Sequence, residues 1–143
     1  MRTAGLEILE AGGLLLAARI ARTVPPRYYL GRAVPNAMPR EIGAGREAMG
    51  RSAACPERDL RVRRLAVRVT WAADRLGLRL SCLDRALALR WMLRRRGYRP
   101  ALCLGLSSGT DGPREAHAWL TLGDRVILGG GNLGRYVPLG RFG

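Results

Sequence analysis

The sequence predicts a domain of the α+β class, with helices in its first two thirds and a small antiparallel sheet in its last third. Apolar residues recur at helical spacing up to about residue 96, and the period changes to two after Pro100. Gly123-Asp124 then stands between two apolar runs, a pattern typical of a tight hairpin. With 143 residues, 48% of them hydrophobic, the chain is long enough for one domain with its own core.

The first predicted element is an amphipathic helix over Thr3–Thr23, which Pro25-Pro26 ends. A lone amphipathic helix is marginally stable in water, so its apolar stripe needs cover. We expect this cover to come from the body of the domain rather than from a partner protein. The stripe consists of Leu6, Leu9, Leu16 and Ile20, with Gly13 between them.

A change in composition near residue 59 divides the chain into an N-terminal appendage, residues 1–59, and a main unit, residues 60–143. Residues 27–59 are rich in proline and glycine and have weak periodicity, which predicts a loop-rich connection with a short helix around 40–49. Asp59 is a suitable cap for a second helix that runs to about Leu76. Gly77 follows this helix and suits its left-handed C-terminal position.

The third helix is the clearest element of the sequence. Ser81 is a good N-cap, and Asp84 brings a negative charge to the first turn, where the helix dipole favours it. Two rows of apolar residues follow, and Gly97 ends the helix after a run of three arginines. The two rows predict that most of this helix is buried.

The sheet is predicted from alternation of apolar and other residues. Strands are expected over residues 100–106 and 114–122, and the second of these places His117 and Trp119 on one face. A return strand over 125–128 follows the hairpin, and a short final strand is expected near 135–138.

Composition excludes several kinds of chemistry. All 25 basic residues are arginine, so a lysine nucleophile or a Schiff base is impossible. One histidine and three cysteines, without a C-x-x-C pair, do not supply a zinc site. Gly129-Gly130-Gly131 has neither the lysine nor the following helix of a phosphate-binding loop. We therefore expect neither a metal nor another cofactor.

The net charge of +14 favours a solvated basic surface over a nucleic-acid site. The arginines are scattered from Arg2 to Arg141, and no recognition motif with interleaved aromatic residues is present. An odd number of unevenly spaced cysteines indicates a reducing cytoplasm. The apolar stretch Gly12–Ala18 is too short for a membrane span, which takes ~20 residues.

Cys82 is the candidate nucleophile. It stands at the first position of the third helix, where unpaired backbone N–H groups and the positive end of the dipole favour a thiolate and can hold an oxyanion. Its partner must be His117, the only imidazole of the chain. Cys103 lies in an apolar strand and Cys55 in the loop-rich connection, and neither position gives a reason for reactivity. On these residues alone, a buried structural cysteine and a structural histidine stay open as the alternative.

Four short motifs carry a resemblance to a known family. They are Ser81-Cys82-Leu83-Asp84-Arg85-Ala86-Leu87-Ala88-Leu89, Leu93-Arg94-Arg95-Arg96-Gly97, Leu104-Gly105-Leu106 and Ala116-His117-Ala118-Trp119-Leu120. Together they resemble the transglutaminase-like leader peptidase of lasso-peptide biosynthesis over about residues 60–140. The helix that carries the cysteine and the strand that carries the histidine form a specific combination at this separation.

The resemblance implies a papain-like or transglutaminase-like cysteine protease core over residues 60–143, in which the cysteine helix packs on an antiparallel sheet. It implies that Cys82 and His117 cut the leader from a ribosomally made lasso precursor peptide. Members of this length lack the domain that recognises the leader. The implied partners are the precursor peptide, a separate leader-recognition protein and an ATP-dependent macrolactam cyclase. A transglutaminase-like acyl transferase and a non-enzymatic basic module that binds RNA or peptide remain alternatives.

The third catalytic group departs from the family pattern. The family has an aspartate about a dozen residues after the histidine, and this chain has Gly129 there. A hairpin turn at Gly123-Asp124 pairs His117 with Gly130 and puts Asp124 roughly 20 Å from the imidazole at ~3.3 Å per residue. Asn132 is therefore the preferred third residue, because an amide oxygen can orient the ring. A backbone carbonyl of the glycine run is a further option.

Overall fold

A computed structural model describes residues 2–25, 30, 56–77, 79–108 and 113–143. Within them, three helices precede a four-stranded antiparallel sheet with strand order β3-β2-β1-β4, which confirms the predicted α+β class. The elements are α1 (Arg2–Ala21), α2 (Pro56–Arg75), α3 (Cys82–Arg94), β1 (Ala101–Ser107), β2 (Ala116–Leu122), β3 (Arg125–Leu128) and β4 (Tyr136–Phe142).

Two predicted boundaries were wrong. α2 begins at Pro56, so Asp59 lies inside the first turn of the helix, where its carboxylate pairs with Arg125 instead of capping. β4 is longer than the predicted strand because it pairs with β1 as far as Phe142, a long-range partnership that local alternation does not encode. The short helix expected around 40–49, and Cys55, lie outside the described residues.

α1 packs on α2 and α3, but not through the stripe that the sequence singled out. Its docking face is formed by Ala11, Leu15 and Ala18, all fully buried. Ion pairs from Glu7 to Arg68 and from Glu10 to Arg96 fix the rotation of the helix on this face. The expectation that the domain covers the stripe is therefore wrong. Its large side chains stay 44% to 74% exposed: Leu6, Leu9, Leu16 and Ile20.

α3 is the centre of the molecule, because it contacts α1, α2, β1 and β2, while α2 also contacts β3. The sheet turns Leu102, Ala118 and Leu120 towards the helices, where they join the hydrophobic core. Cys103 and Trp119, which pair across β1 and β2, are buried outside that core cluster. No helix among the described residues has the length and hydropathy needed to cross a membrane.

The C-terminal half of α3 is anchored by a buried cation. Arg90 is fully buried, and its guanidinium donates to the carbonyl oxygens of Leu30, at 2.6 Å, and Gly143, at 2.8 Å. Burial lowers the pKa of Arg90 to about 10, because the charged form loses water. The planar, forked guanidinium suits two acceptors from distant segments, so Arg90 ties both to the helix that begins at Cys82.

Candidate functional site

The N-terminus of α3 is built as a capping box. The Ser81 hydroxyl accepts from the backbone N–H of Asp84 at 3.2 Å, and the Ser81 N–H donates to the Asp84 carboxylate at 2.8 Å. This confirms Ser81 as the N-cap and makes Cys82 the first residue of the helix. Cys82 is half-buried and therefore accessible at the positive end of the helix dipole.

Asp84 is a buried carboxylate two positions after Cys82. It is fully buried, and Arg22, from the segment just after α1, reaches one of its oxygens at 3.4 Å. Arg22 also donates to the Ser81 hydroxyl at 3.2 Å. A buried negative charge next to a thiolate would oppose the thiolate, and the guanidinium offsets it. Arg22 therefore supports both the cap and the charge balance at the start of α3.

The start of β2 lies beside this helix end. The Cys82 thiol is 3.9 Å from the carbonyl oxygen of Ala116, the residue immediately before His117. The structure thus brings the N-terminus of α3 and the histidine-bearing end of β2 together, although 34 residues separate Cys82 from Ala116 along the chain.

A glycine on the neighbouring strand makes room for the aromatic residues around His117. Gly105 pairs with His117 in the sheet, and a Cβ at Gly105 would lie 3.0 Å from the Trp119 ring and 2.9 Å from the Val137 carbonyl oxygen. The His117 ring stacks with Trp119, at 6.1 Å between ring centroids, and with Tyr136, at 4.8 Å. Trp119 is at once a buried residue and a wall beside His117.

The imidazole is held by the main chain. His117 Nε2 lies 2.8 Å from the carbonyl oxygen of Gly129. A carbonyl oxygen only accepts, so Nε2 carries a hydrogen and the lone pair of the neutral ring lies on Nδ1. The acceptor belongs to Gly129, the residue that stands where the family pattern has an aspartate.

A bulge in the hairpin brings this carbonyl within reach. The turn at Gly123-Asp124 pairs Leu122 with Arg125 as predicted, but Leu120 pairs with Leu128, so the register moves by one residue at Ile127. The predicted pairing of His117 with Gly130 is therefore wrong. Gly129 follows the last residue of β3. Its φ is +78°, a left-handed conformation that favours glycine.

The two side chains considered for the third catalytic group lie elsewhere. Asn132 is exposed, has φ +53° and precedes a short 3-10 turn over Leu133–Arg135, without a capping hydrogen bond from its side chain. Asp124 lies in the hairpin turn beyond the other end of β2. The described hydrogen bond of His117 thus involves the backbone alternative, and Asn132 stays a prediction.

Cys103 contrasts with Cys82. It is 1% exposed on β1, and burial raises the pKa of its thiol, because a thiolate there would lose water. Of the two cysteines that the structure describes, only Cys82 combines access with a helix N-terminus.

Comparison with protein-family models identifies the superfamily of the chain. The family model of the transglutaminase-like superfamily matches residues 18–141, which is most of the chain. The chain belongs to the transglutaminase-like superfamily. Membership of the superfamily fits a cysteine peptidase or an acyl transferase. No curated protein and no solved structure matches the chain.

Sequence reasoning missed two residues that contact the candidate site. Tyr136 lies within the predicted final strand, but only the pairing of β4 with β1 carries it to His117. Arg22 falls near the end of the helix predicted over Thr3–Thr23, and its contact with Asp84 spans 62 residues. Neither contact leaves a local pattern in the sequence.

Proposed function

We propose that the chain is a cysteine peptidase that removes the leader from a ribosomally made lasso precursor peptide. The observation that carries the proposal is that Cys82, at the start of α3, lies beside the residue that precedes His117, in a chain of the transglutaminase-like superfamily. The four motifs around these residues resemble the leader peptidases of lasso-peptide biosynthesis. We assign Cys82 as the nucleophile and His117 as the general base and acid.

The reaction follows from the two groups. Cys82 transfers its proton to His117 Nδ1, and the thiolate sulfur attacks the carbonyl carbon at the end of the leader. Backbone N–H groups at the start of α3 stabilise the oxyanion. His117 then protonates the leaving amine of the core peptide, which leaves the leader as a thioester on Cys82. His117 next takes a proton from water, whose oxygen attacks the carbonyl carbon of the thioester. The C–S bond then breaks, Cys82 leaves and recovers the proton from His117, and the leader is released as an acid.

Partners complete this proposal. A separate leader-recognition protein presents the precursor peptide, and an ATP-dependent macrolactam cyclase uses the amine that cleavage exposes. We place these steps in the cytoplasm. The chain itself supplies the proteolytic step and needs no cofactor for it.

Acyl transfer is the second candidate, because membership of the superfamily fits an acyl transferase as well as a cysteine peptidase. The thioester on Cys82 is the same, but an amine replaces water in the last step. Mass spectrometry separates the two, because hydrolysis gives a free leader acid and aminolysis gives a leader carrying the added amine.

The test is mass spectrometry of a candidate precursor peptide incubated with this chain and its leader-recognition protein. We expect a free leader and a free core peptide, with no product from Cys82→Ala or His117→Ala, whereas Cys103→Ala keeps the activity. Comparison of the cleavage rates of Asn132→Ala and Asp124→Ala tests which of these side chains acts as the third catalytic group. Cleavage by a folded Cys82→Ala protein contradicts the mechanism, and inhibition by EDTA would reveal a metal.

A further inference from the structure

A groove of about 720 Å³ lies between α2 and β3. Its lining includes apolar side chains that are open to solvent: Val67 is 67% exposed, Trp71 45% and Val126 41%. The Arg75 guanidinium lies over the Trp71 ring at 4.7 Å and does not line the groove. Clustered exposed apolar side chains in a concavity are typical of a binding site.

The groove and the candidate catalytic site share one residue, Gly129. Gly129 and Gly130 line it, and the Gly129 carbonyl oxygen accepts the hydrogen bond from His117 Nε2. A molecule that fills the groove up to Gly129 therefore contacts the residue whose carbonyl oxygen is bonded to the imidazole.

The charge of the groove lining does not favour an anionic ligand. The chain has 25 arginines, yet none is among the described residues that line the groove. Among the described lining residues only Asp74 is charged, and its carboxylate already pairs with Arg85 at 2.9 Å. An apolar, uncharged segment suits this surface, whereas nucleic acid or an acidic peptide does not.

The strand beside the groove offers main-chain hydrogen bonds. β3 is at the edge of the sheet, and among the described residues only β2 pairs with it. An edge strand keeps a row of unpaired N–H and C=O groups that an extended peptide can satisfy.

We propose that this groove binds the peptide substrate, with an extended segment added to β3 and one apolar side chain against Trp71. The proposal rests on the peptidase function proposed above. The segment then continues past Gly129 towards His117 and Cys82. Trp71 is a specificity-determining residue in this arrangement.

Binding is tested with three fluorescently labelled octapeptides that differ only in a central Leu, Asp or Lys, added to the full-length Cys82→Ala chain. Burial of a Leu side chain predicts that the Leu peptide binds about tenfold more tightly than the other two. Adding Trp71→Ala should abolish the preference, whereas adding Trp71→Phe should retain it. Leu60→Ala is the matched control, because Leu60 is an exposed apolar residue of α2 outside the groove.

Kinetics connect the groove to the proposed function. In the chain with Cys82 intact, Trp71→Ala should raise KM for precursor cleavage about tenfold with little change in kcat. The rate of Cys82 alkylation should not change. Equal binding of the three peptides, or a preference for the Leu peptide that survives Trp71→Ala, refutes the proposal that the groove binds the substrate. A Trp71-dependent preference without cleavage of any precursor supports the groove and refutes the peptidase.

Discussion

Substitution of Gly129 by alanine tests whether a backbone carbonyl orients the imidazole of His117, the proposed general base. A Cβ at this position would lie 2.9 Å from the Ala118 carbonyl oxygen and 3.1 Å from the Trp119 Cβ. The φ of +78° adds strain for any residue with a side chain, of order 1–3 kcal/mol. Relief of the close contacts and of the backbone strain requires the main chain to move. This movement breaks the 2.8 Å hydrogen bond from His117 Nε2 to the Gly129 carbonyl oxygen.

The expected result is a loss of about 10²-fold or more in kcat for precursor cleavage, because general acid–base catalysis of this kind contributes ~10²–10⁴-fold. Thermal unfolding should show a folded protein that is less stable by ~1–3 kcal/mol. Gly131→Ala is the matched control, since a Cβ there meets nothing within 4 Å and its φ is not left-handed.

A spectroscopic assay reads the same hydrogen bond without relying on activity. The chain has one histidine, so ¹⁵N-histidine labelling gives a spectrum of His117 alone. The neutral ring should carry its proton on Nε2 in the parent protein, and Gly129→Ala should weaken this preference. A folded Gly129→Ala protein with the parental rate and imidazole spectrum refutes the reasoning, as does equal damage by Gly131→Ala.

Three further predictions concern reactivity, packing and pH. Iodoacetamide at pH 6 should alkylate Cys82 and spare Cys103, whose thiol pKa is raised by burial, as peptide mapping will show; the reverse pattern would contradict the site. Leu15→Ala should cost ~2–5 kcal/mol in denaturant unfolding, whereas Leu9→Ala should cost less than about 0.5 kcal/mol because Leu9 is exposed. The hydrogen bond from Arg96 lowers the pKa of Glu10, so its stabilisation is present above the unfolded-state pKa and is lost as pH falls through the folded-state pKa. The Tm advantage over Glu10→Gln should therefore shrink below about pH 4.5, and an advantage independent of pH would refute this linkage.

Local patterns were sufficient for the order of the described helices and strands and for the cap at the start of α3. Ser81 and Cys82 were predictable because a helix cap depends on residues a few positions apart. The hairpin turn at Gly123-Asp124 was predictable for the same reason. Both features depend only on residues that are a few positions apart in the sequence.

The remainder depends on contacts between distant segments. The bulge at Ile127 moves the register of β3 by one residue, and this shift decides which group reaches His117. The docking face of α1 was mistaken because the helix has apolar residues on both sides, and the ion pair from Glu10 to Arg96 selects between them. A pattern within one segment does not contain either choice.

The acceptor that holds His117 is a peptide oxygen, and this has a consequence for recognising related chains. Every residue type carries such an oxygen, so a carbonyl in this role is not recognisable from residue identities in an alignment. A sequence motif that requires a cysteine, a histidine and an acidic residue would not detect a chain in which a backbone carbonyl holds the imidazole. What persists is a backbone shape, a bulged hairpin that ends in a left-handed residue about a dozen positions after the histidine.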